Sequence, residues 1–403
     1  MPDTFSQSER DADRALSVGG ETHAAEYEES GGRRKTSALD WIVLPLISAA
    51  TIAIFCGGIR LISYLEFAHL KWLPGRCIVQ SGSVLHGVPN SVCTERNYYS
   101  QLVEYRFNSC GDRTPFDCRQ KPEGVYRIVL IGSSNPMGYE VPAESTLSER
   151  LSAELSRRTG RRVEVYNASL NGSSGAPSNL ANRMSRTMAL QPDLILWVMN
   201  AWDINPDKSE DQIRDEALQG SPRILRALRL LFTETRAGYW MREILYRSQS
   251  LYTAAYLKRI QNEAQTHATP NDEEHERMRL VSLDVRTIVD RAKADGVPVV
   301  VAFLPDRAVA DAFSMSPRPA GIEPDRLNNE LHTVLAGKGA IFADVVPDLR
   351  KALNLDGLYD PFGAHLNAEG HAFLTQLLAN ILTSGVVPAL SVNEQAQSER
   401  IQQ

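Results

Sequence analysis

The sequence has little net charge and few cysteines, and both features narrow the range of functions. Among its 403 residues, 43 Lys and Arg stand against 49 Asp and Glu, so the formal net charge is −6. Because a general nucleic-acid binder needs an excess of positive charge, we expect no nucleic-acid partner. No two cysteines have the C-x₂-C spacing of a zinc site, and only His86 lies among them. We therefore expect no metal, and nothing in the sequence calls for an organic cofactor.

The first 38 residues lack any periodic pattern of apolar residues. They are polar and rich in Glu, Ser and Gly, a composition that cannot bury enough apolar surface to fold. The sequence therefore predicts a disordered tail at 1–38, and a second polar tail at 389–403.

The next stretch lacks charge altogether. Between Asp40 and Arg60, the run from Trp41 to Ile59 is uncharged and mostly apolar, and its length suits a helix that crosses a bilayer. A buried core helix is the alternative, which the hydrophobic length disfavours. A cleaved signal peptide would lie at the extreme amino end. We therefore predict a retained transmembrane helix at 39–66.

The distribution of positive charge predicts the orientation of this span. Arg33, Arg34 and Lys35 form a tight cluster before it, whereas the positive residues after it are spread out. Because cytoplasmic flanks carry the excess of Lys and Arg, the amino terminus is expected in the cytoplasm. The carboxyl domain would then be extracytoplasmic, held at the inner (cell) membrane by one helix.

Four of the five cysteines fall in the short region at 70–122, just after the predicted span. An even set of cysteines in an exported segment indicates two disulfides, with three possible pairings. We favour the local pairing, Cys77 with Cys93 and Cys110 with Cys118.

Beyond Glu123 the sequence alternates short apolar runs with helical periodicity, which is typical of an α/β domain with a parallel sheet. We place this domain at 123–388. Strands are predicted at 126–131, 162–168, 193–199, 297–304 and 340–345. Helices are predicted at 145–158, 176–190, 274–295, 324–337 and 367–383. Crossover connections between parallel strands would place helices on both faces of the sheet.

The domain carries a predicted helical insertion at 205–272, in which arginine is frequent. It could be a lid, or a basic face that meets anionic lipid or acidic polysaccharide. A solvated helix face is the simpler interpretation and is kept as the default.

Polar segments follow the predicted strands where a parallel α/β sheet binds ligands. The first follows an unbroken strand and contains Ser133 and Ser134. Further polar segments lie at 167–175, 200–203 and 359–371. A serine on such a turn, near a later histidine, could be a nucleophile. Taken alone, Ser133 and Ser134 are equally explained as turn residues.

Together these segments resemble the SGNH (GDSL-type) hydrolase family, in particular its membrane-anchored bacterial members, over about residues 100 to 385. Residues 103–109 (VEYRFNS) are similar to the Y-R-x-N-S segment that precedes the nucleophile strand. Residues 132–138 (GSSNPMG) are similar to G-D-S-x-x-x-G. Residues 365–371 (HLNAEGH) match H-x-N-x-x-G-H.

The resemblance implies a three-layer α/β/α fold with a central parallel five-stranded sheet. It also implies that Ser134 is the nucleophile and His365 the base, and it places the oxyanion-hole glycine at Gly172. The Ser134 N–H group would share that role.

Three positions depart from the family pattern. Ser133 replaces the Asp that precedes the nucleophile, and Trp202 stands where an oxyanion Asn is usual. Asn200 is the nearest amide that could replace that donor. Phe362 occupies the position of the acid that orients the histidine, so Asp360, five residues before His365, is the nearest carboxylate.

The resemblance implies an esterase that acts on acyl esters, acetyl esters first of all, of a cell-surface polysaccharide or glycan, by hydrolysis or O-acyl transfer. The alternative is a catalytically impaired relative that binds polysaccharide or supports its assembly and export. A lipase is a third possibility, which the arginines of the insertion disfavour. His371 and Asp306 are interpreted as structural, the first as a packing or capping residue and the second as a loop residue.

Overall fold

A computed structural model of the chain provides the coordinates. It describes residues 40–70, 77–81, 84–96, 102–118, 120–172, 175–204, 244, 267–318, 320–352, 355–360 and 365–392. The predicted tail at 1–38, Phe362, most of the insertion at 205–272 and residues 393–403 of the second tail lie outside the described residues.

The predicted span falls on helix α1, Asp40–Leu70, which has 31 residues. Its described large apolar side chains are exposed: Ile42, Val43, Leu46, Ile47, Ile52, Ile54, Phe55 and Leu61. Several other side chains of the predicted span, including those of Trp41 and Leu44, lie outside the described residues. Within the described part of the chain, no helix combines the length and the apolar character that crossing a membrane requires.

The segment after α1 forms two antiparallel hairpins that the sequence analysis did not predict. Their strands are β1 Ile78–Ser81, β2 Val84–Gly87, β3 Val92–Arg96 and β4 Leu102–Arg106. Exposed and buried residues alternate along β4, as in a strand with one face in solvent. Its inward residues Val103 and Tyr105 pack with Phe107 and Met137 in a small core. Met137 belongs to the segment after the next strand, so this core connects the hairpins to the main domain.

The cysteines pair as predicted. One disulfide joins Cys77 to Cys93, and the other joins Cys110 to Cys118. The first links the residue before β1 to a residue of β3, and the second closes a short loop after β4.

The main domain contains a parallel sheet of five strands among the described residues, as predicted. The strands are β5 Tyr126–Gly132, β6 Val163–Asn167, β7 Leu194–Asn200, β8 Val299–Leu304 and β9 Ile341–Phe342. Their spatial order is β6-β5-β7-β8-β9. Strand β9 is shorter than the predicted 340–345, because after Ala343 the chain turns: Asp344 Oδ1 accepts the Val346 N–H at 3.1 Å.

Helices cover both faces of this sheet. They are α2 Ser134–Met137, α3 Leu147–Thr159, α4 Pro177–Ala189, α5 Asp272–Ala294, α6 Arg307–Ser314, α7 Arg326–Ala336, α8 Val346–Leu349 and α9 Ala368–Ile381. Helices α3, α4, α5, α7 and α9 lie within a few residues of their predicted positions, whereas the short α2, α6 and α8 were not predicted.

The apolar residues of the strands divide between two cores. Ile128 and Leu130 of β5 face a core that includes α3 and α9. The alternate residues Val129 and Ile131 face a core that includes α4, α5 and α7. Because both faces are covered, β5 is buried along its whole length, and its sequence is an unbroken apolar run. The result is the three-layer α/β/α arrangement.

The order of the strands determines where the polar segments meet. From β5 the chain goes to β6 on one side and then to β7 on the other. The carboxyl ends of these three parallel strands therefore lie side by side, and an edge where the order reverses is where open α/β sheets bind ligands.

Candidate active site

The serine-bearing turn after β5 depends on a glycine. Gly132 has φ +153°, and a Cβ at this position would lie 2.4 Å from Pro136 Cγ and 2.5 Å from the Val198 carbonyl oxygen. A side chain at Gly132 is therefore excluded by both space and backbone conformation. The turn places Ser134 as the first residue of α2, which ends at Gly138 in the left-handed conformation (φ +81°).

The carbonyl groups at the end of α2 bond to side chains from two other segments. A helix of four residues leaves its last carbonyls without partners of its own. Asn167, at the end of β6, donates its amide to the Pro136 carbonyl at 3.0 Å. The buried Arg113 guanidinium donates to the carbonyls of Gly138 and, at 2.7 Å, Val141. These contacts fix the turn from behind.

Arg113 lies inside the loop that the Cys110–Cys118 disulfide closes. Its guanidinium also lies over the Tyr105 ring, 4.2 Å from the centroid, a distance at which a cation is attracted to an aromatic face. The disulfide-bearing region therefore supports the serine turn directly.

Ser134 and His365 meet although they are far apart in sequence. The Nε2 atom of His365 lies 2.8 Å from Ser134 Oγ, within hydrogen-bonding reach of a base and its nucleophile. Both side chains are half-buried. Burial lowers the pKa of His365 to about 4, so the imidazole is neutral at neutral pH and able to accept a proton.

The backbone around His365 is held on two sides. Tyr359 and Leu366 form an antiparallel bridge, and the Asp360 N–H donates to the His365 carbonyl at 2.9 Å. On the other side, the Leu366 N–H donates to Asn135 Oδ1 at 2.8 Å. The Tyr139 ring packs beside the imidazole, with centroids 5.3 Å apart.

Helix α9 begins immediately after His365. Asn367 is its N-cap and accepts the N–H groups of Glu369 and Gly370. Gly370 is needed for close packing, because a Cβ there would lie 2.1 Å from the Leu358 carbonyl oxygen. The H-x-N-x-x-G part of the motif thus fixes the direction in which the chain leaves the histidine.

Asp360 lies opposite His365 beside the Tyr359–Leu366 bridge, and directly paired residues of antiparallel segments share a face. Its side chain is buried, and burial raises its pKa to about 7, against an opposing effect of Arg307. In the described part of the chain, His365 Nδ1 has no hydrogen-bond partner. The structure thus brings Asp360 next to the histidine without joining the carboxylate to Nδ1.

Asn200 points at Ser133 rather than Ser134. Its Nδ2 donates to Ser133 Oγ at 2.7 Å, and its backbone N–H donates to Asp203 Oδ2 at 2.9 Å. Burial raises the pKa of Asp203 to about 7. Gly175 packs closely against this network, because a Cβ there would lie 2.3 Å from Asp203 Oδ1. The Asn200 side chain is therefore bonded to Ser133, the residue before the predicted nucleophile Ser134.

Gly172 lies in the loop after β6. It has φ +68° and is exposed, and its N–H donates to Asn171 Oδ1 at 2.8 Å. Gly172, which the family pattern offers for an oxyanion hole, and Asn200, the nearest amide that could replace the missing Asn, are thus both bonded to other residues. The side chain of Trp202 lies outside the described residues.

Two further residues have the structural roles that the sequence analysis preferred. His371 is buried, and its Nδ1 accepts the Leu147 N–H at 3.0 Å, at the start of α3. Burial lowers the pKa of His371 to about 3. Asp306 is the N-cap of α6 and accepts the Val309 N–H at 2.9 Å.

Sequence reasoning missed three residues that support the site: Arg113, Asn135 and Asn167. Their partners are backbone groups that lie far away in sequence, so neither periodicity nor motif spacing reveals them. The nearest signal is position, since Asn135 directly follows the serine and Asn167 ends a predicted strand.

Comparison with known proteins identifies the family. Residues 130–373, more than half of the chain, match the model of the GDSL-like lipase/acylhydrolase family. A comparison with curated protein sequences finds no match.

Several solved structures are similar. The lipase/acylhydrolase from Enterococcus faecalis is 13% identical, with a TM-score of 0.38, and the match covers 64% of this chain and 94% of that one. The acetyl xylan esterase AlAXEase is 12% identical, with a TM-score of 0.37 and coverage of 64% and 99%. TesA is 12% identical, with a TM-score of 0.36 and coverage of 65% and 99%. On the strength of the family model, this chain belongs to the SGNH, or GDSL-like, lipase/acylhydrolase family.

Proposed function

We propose that the chain is a serine esterase in which Ser134 is the nucleophile and His365 the general base. The observation that carries the proposal is the 2.8 Å contact between Ser134 Oγ and His365 Nε2. Family membership supplies the reaction class, cleavage of an acyl ester.

The reaction follows from this pair. His365 Nε2 takes the proton from Ser134 Oγ as the oxygen attacks the acyl carbon, which gives a tetrahedral intermediate. His365 then returns the proton to the departing alcohol oxygen, leaving the acyl group on Ser134. Water, or a sugar hydroxyl in an O-acyl transfer, attacks this acyl-enzyme with His365 again as base.

The oxyanion hole requires a local rearrangement. Ser134 is the first residue of α2, so its N–H has no acceptor within the helix. Gly172 and Asn200 would have to exchange their present acceptors, Asn171 and Ser133, for the substrate oxygen. Donors directed at the developing negative charge are usually the largest electrostatic contribution to such reactions.

Asp360 is the proposed orienting acid. It is paired with His365 through the backbone, and turning its carboxylate toward Nδ1 would fix the tautomer and stabilise the imidazolium. In this role Asp360 replaces the carboxylate that the family places three residues before the histidine, where this chain has Phe362.

The proposed substrate is an acyl, first of all an acetyl, ester on a cell-surface polysaccharide or glycan. In support, the uncharged run before Arg60 predicts an anchor in the inner membrane, with the amino terminus cytoplasmic and the site extracytoplasmic. The two disulfides suit an oxidising compartment. A membrane-held, exported site would encounter surface glycans.

Hydrolysis of p-nitrophenyl acetate by the full-length chain, purified in detergent, tests the catalytic proposal. We expect Ser134→Ala and His365→Ala each to lower turnover at least about 1,000-fold. Ser178→Ala, an exposed serine on α4, is the matched control and should behave as wild type. Turnover that survives Ser134→Ala, or no turnover at all, would contradict the proposal.

A non-catalytic role in binding polysaccharide or supporting its assembly is the second candidate. Two observations favour it. Gly172 and Asn200 already donate hydrogen bonds within the protein, and among the described residues His365 Nδ1 has no hydrogen-bond partner. Binding of acetylated polysaccharide by a wild-type chain that never hydrolyses it would support this alternative.

The anchor has its own test. Extraction of membranes with alkaline carbonate should leave the full-length chain in the pellet. An externally added protease should remove the carboxyl domain from spheroplasts and spare the amino-terminal segment. Release by carbonate, or protection of the domain, would contradict the proposed location.

A further inference from the structure

Asn135 links the serine turn to the histidine segment. It directly follows Ser134, and its side chain is only 4% exposed. Its Oδ1 accepts the backbone N–H of Leu366, the residue after His365, at 2.8 Å. Two contacts of the same length, Oγ to Nε2 and Oδ1 to N–H, therefore run side by side between the two segments.

This bond joins parts of the fold that have separate supports. Ser134 and Asn135 belong to the turn between β5 and α2, which Asn167 and Arg113 hold from behind. His365 belongs to the approach to α9, which is paired with the segment at 358–360. A contact between the two segments therefore determines how far apart the nucleophile and the base lie.

The required precision is high. A displacement of about 1 Å between reacting groups can cost about 100-fold in rate. The Leu366 N–H is in a buried setting, so removal of its acceptor would leave an unsatisfied donor and favour a shift of the backbone. Because Leu366 adjoins His365, such a shift would carry the imidazole with it.

An amide oxygen suits this position because it is neutral. A carboxylate could also accept the Leu366 N–H, but a negative charge near the imidazole would raise the pKa of His365. An amide provides the acceptor and leaves the pKa of the histidine low.

We propose that Asn135 is a positioning residue for the reaction, which holds the backbone of His365 at the distance from Ser134 that proton transfer requires. It acts through Leu366 and does not touch the substrate. The inference rests on the proposed esterase function.

Asn135→Leu and Asn135→Asp in the full-length chain provide the test. Both variants lose the amide N–H groups, and only Asp keeps an oxygen acceptor for the Leu366 N–H, while its added charge is read separately from the pH–rate profile. For Asn135→Leu we expect kcat to fall between about 10- and 100-fold with KM unchanged. Asn135→Asp should recover most of kcat, and the acidic limb of its pH–rate profile should move to higher pH.

Thermal unfolding of each variant distinguishes a loss of positioning from a loss of folding stability. If Asn135→Leu keeps a folded transition and wild-type kcat, or if both variants lose kcat equally with an unmoved pH profile, the positioning role is wrong. If wild-type turnover does not depend on Ser134, the esterase proposal fails, and this inference fails with it. Turnover that depends on Ser134 but not on the residue at 135 overturns this inference alone.

Discussion

Asp360 and His365 are paired through their backbones, with the Asp360 N–H donating to the His365 carbonyl at 2.9 Å. The bridge between Tyr359 and Leu366 sets this register. The family pattern places the acid three residues before the histidine, whereas here backbone pairing brings Asp360, five residues before it, opposite His365. Backbone pairing can therefore supply a neighbour that sequence spacing does not indicate.

The pH dependence of turnover tests this role for Asp360. Burial raises its pKa to about 7 and lowers that of His365 to about 4. If the ionised Asp360 orients the imidazole, kcat/KM should rise with pH through about 7, and Asp360→Asn should lower the plateau about 100-fold or more. A wild-type profile that levels off just above pH 4, unchanged in Asp360→Asn, would show that Asp360 has no such role.

Asp203 should make the folded state less stable as the pH rises. Burial raises its pKa from 3.8 to about 7. Between these values the folded chain holds a proton that the unfolded chain has lost, so the free energy of unfolding falls with increasing pH in this window. We expect Asp203→Asn to remove this decrease.

Urea unfolding at pH 4.5 and pH 7.5 measures the effect. Contributions from other groups, such as His371, are common to wild type and variant and cancel in the comparison. The exposed Asp290→Asn on α5 serves as the control and should keep the wild-type difference between the two pH values. An unchanged difference in Asp203→Asn would argue against a protonated Asp203.

The disulfide nearest the site should matter for activity as well as stability. The Cys110–Cys118 loop carries Arg113, which donates to carbonyls after α2. Arg113→Lys keeps the charge but loses the forked geometry. We therefore expect Ser134-dependent turnover to fall about 10-fold, because a poorly held turn misplaces the nucleophile.

Replacing each cysteine pair by serine provides a matched comparison. Loss of either disulfide should lower stability by about 2–4 kcal/mol. Only loss of Cys110–Cys118 should also lower turnover at temperatures where the chain remains folded, because the Cys77–Cys93 bond does not enclose Arg113. Equal effects of the two replacements on turnover would contradict this assignment.

The sheet could be predicted because its central strands are buried on both faces. Such strands must be apolar along their whole length, and the runs that contain Ile128 and Leu196 show this directly. The two hairpins at 78–106 could not be predicted in this way. Their strands have four or five residues and a small shared core, so alternation is too brief to separate them from loops.

The proximity of Ser134 and His365 could be predicted, whereas the contacts around this pair could not. Motif order places Ser134 and His365 at the same edge of the sheet, and the structure brings them within 2.8 Å. The bond from Leu366 to Asn135 spans 231 residues and joins a side chain to a backbone group. It therefore cannot be predicted from the residue types. The partner of Gly172 is the adjacent Asn171, whereas the bond from Asn200 to Ser133 spans 67 residues and is likewise not indicated by residue type.

Labelling with a fluorophosphonate, followed by peptide mass spectrometry of the full-length chain, tests the central claim most directly. The reagent reacts with a serine only where a neighbouring base activates the hydroxyl. The account predicts one phosphonyl group on Ser134, absent in Ser134→Ala and formed much more slowly in His365→Ala. No adduct on the folded wild-type chain, or an adduct on another serine that persists in Ser134→Ala, would contradict it.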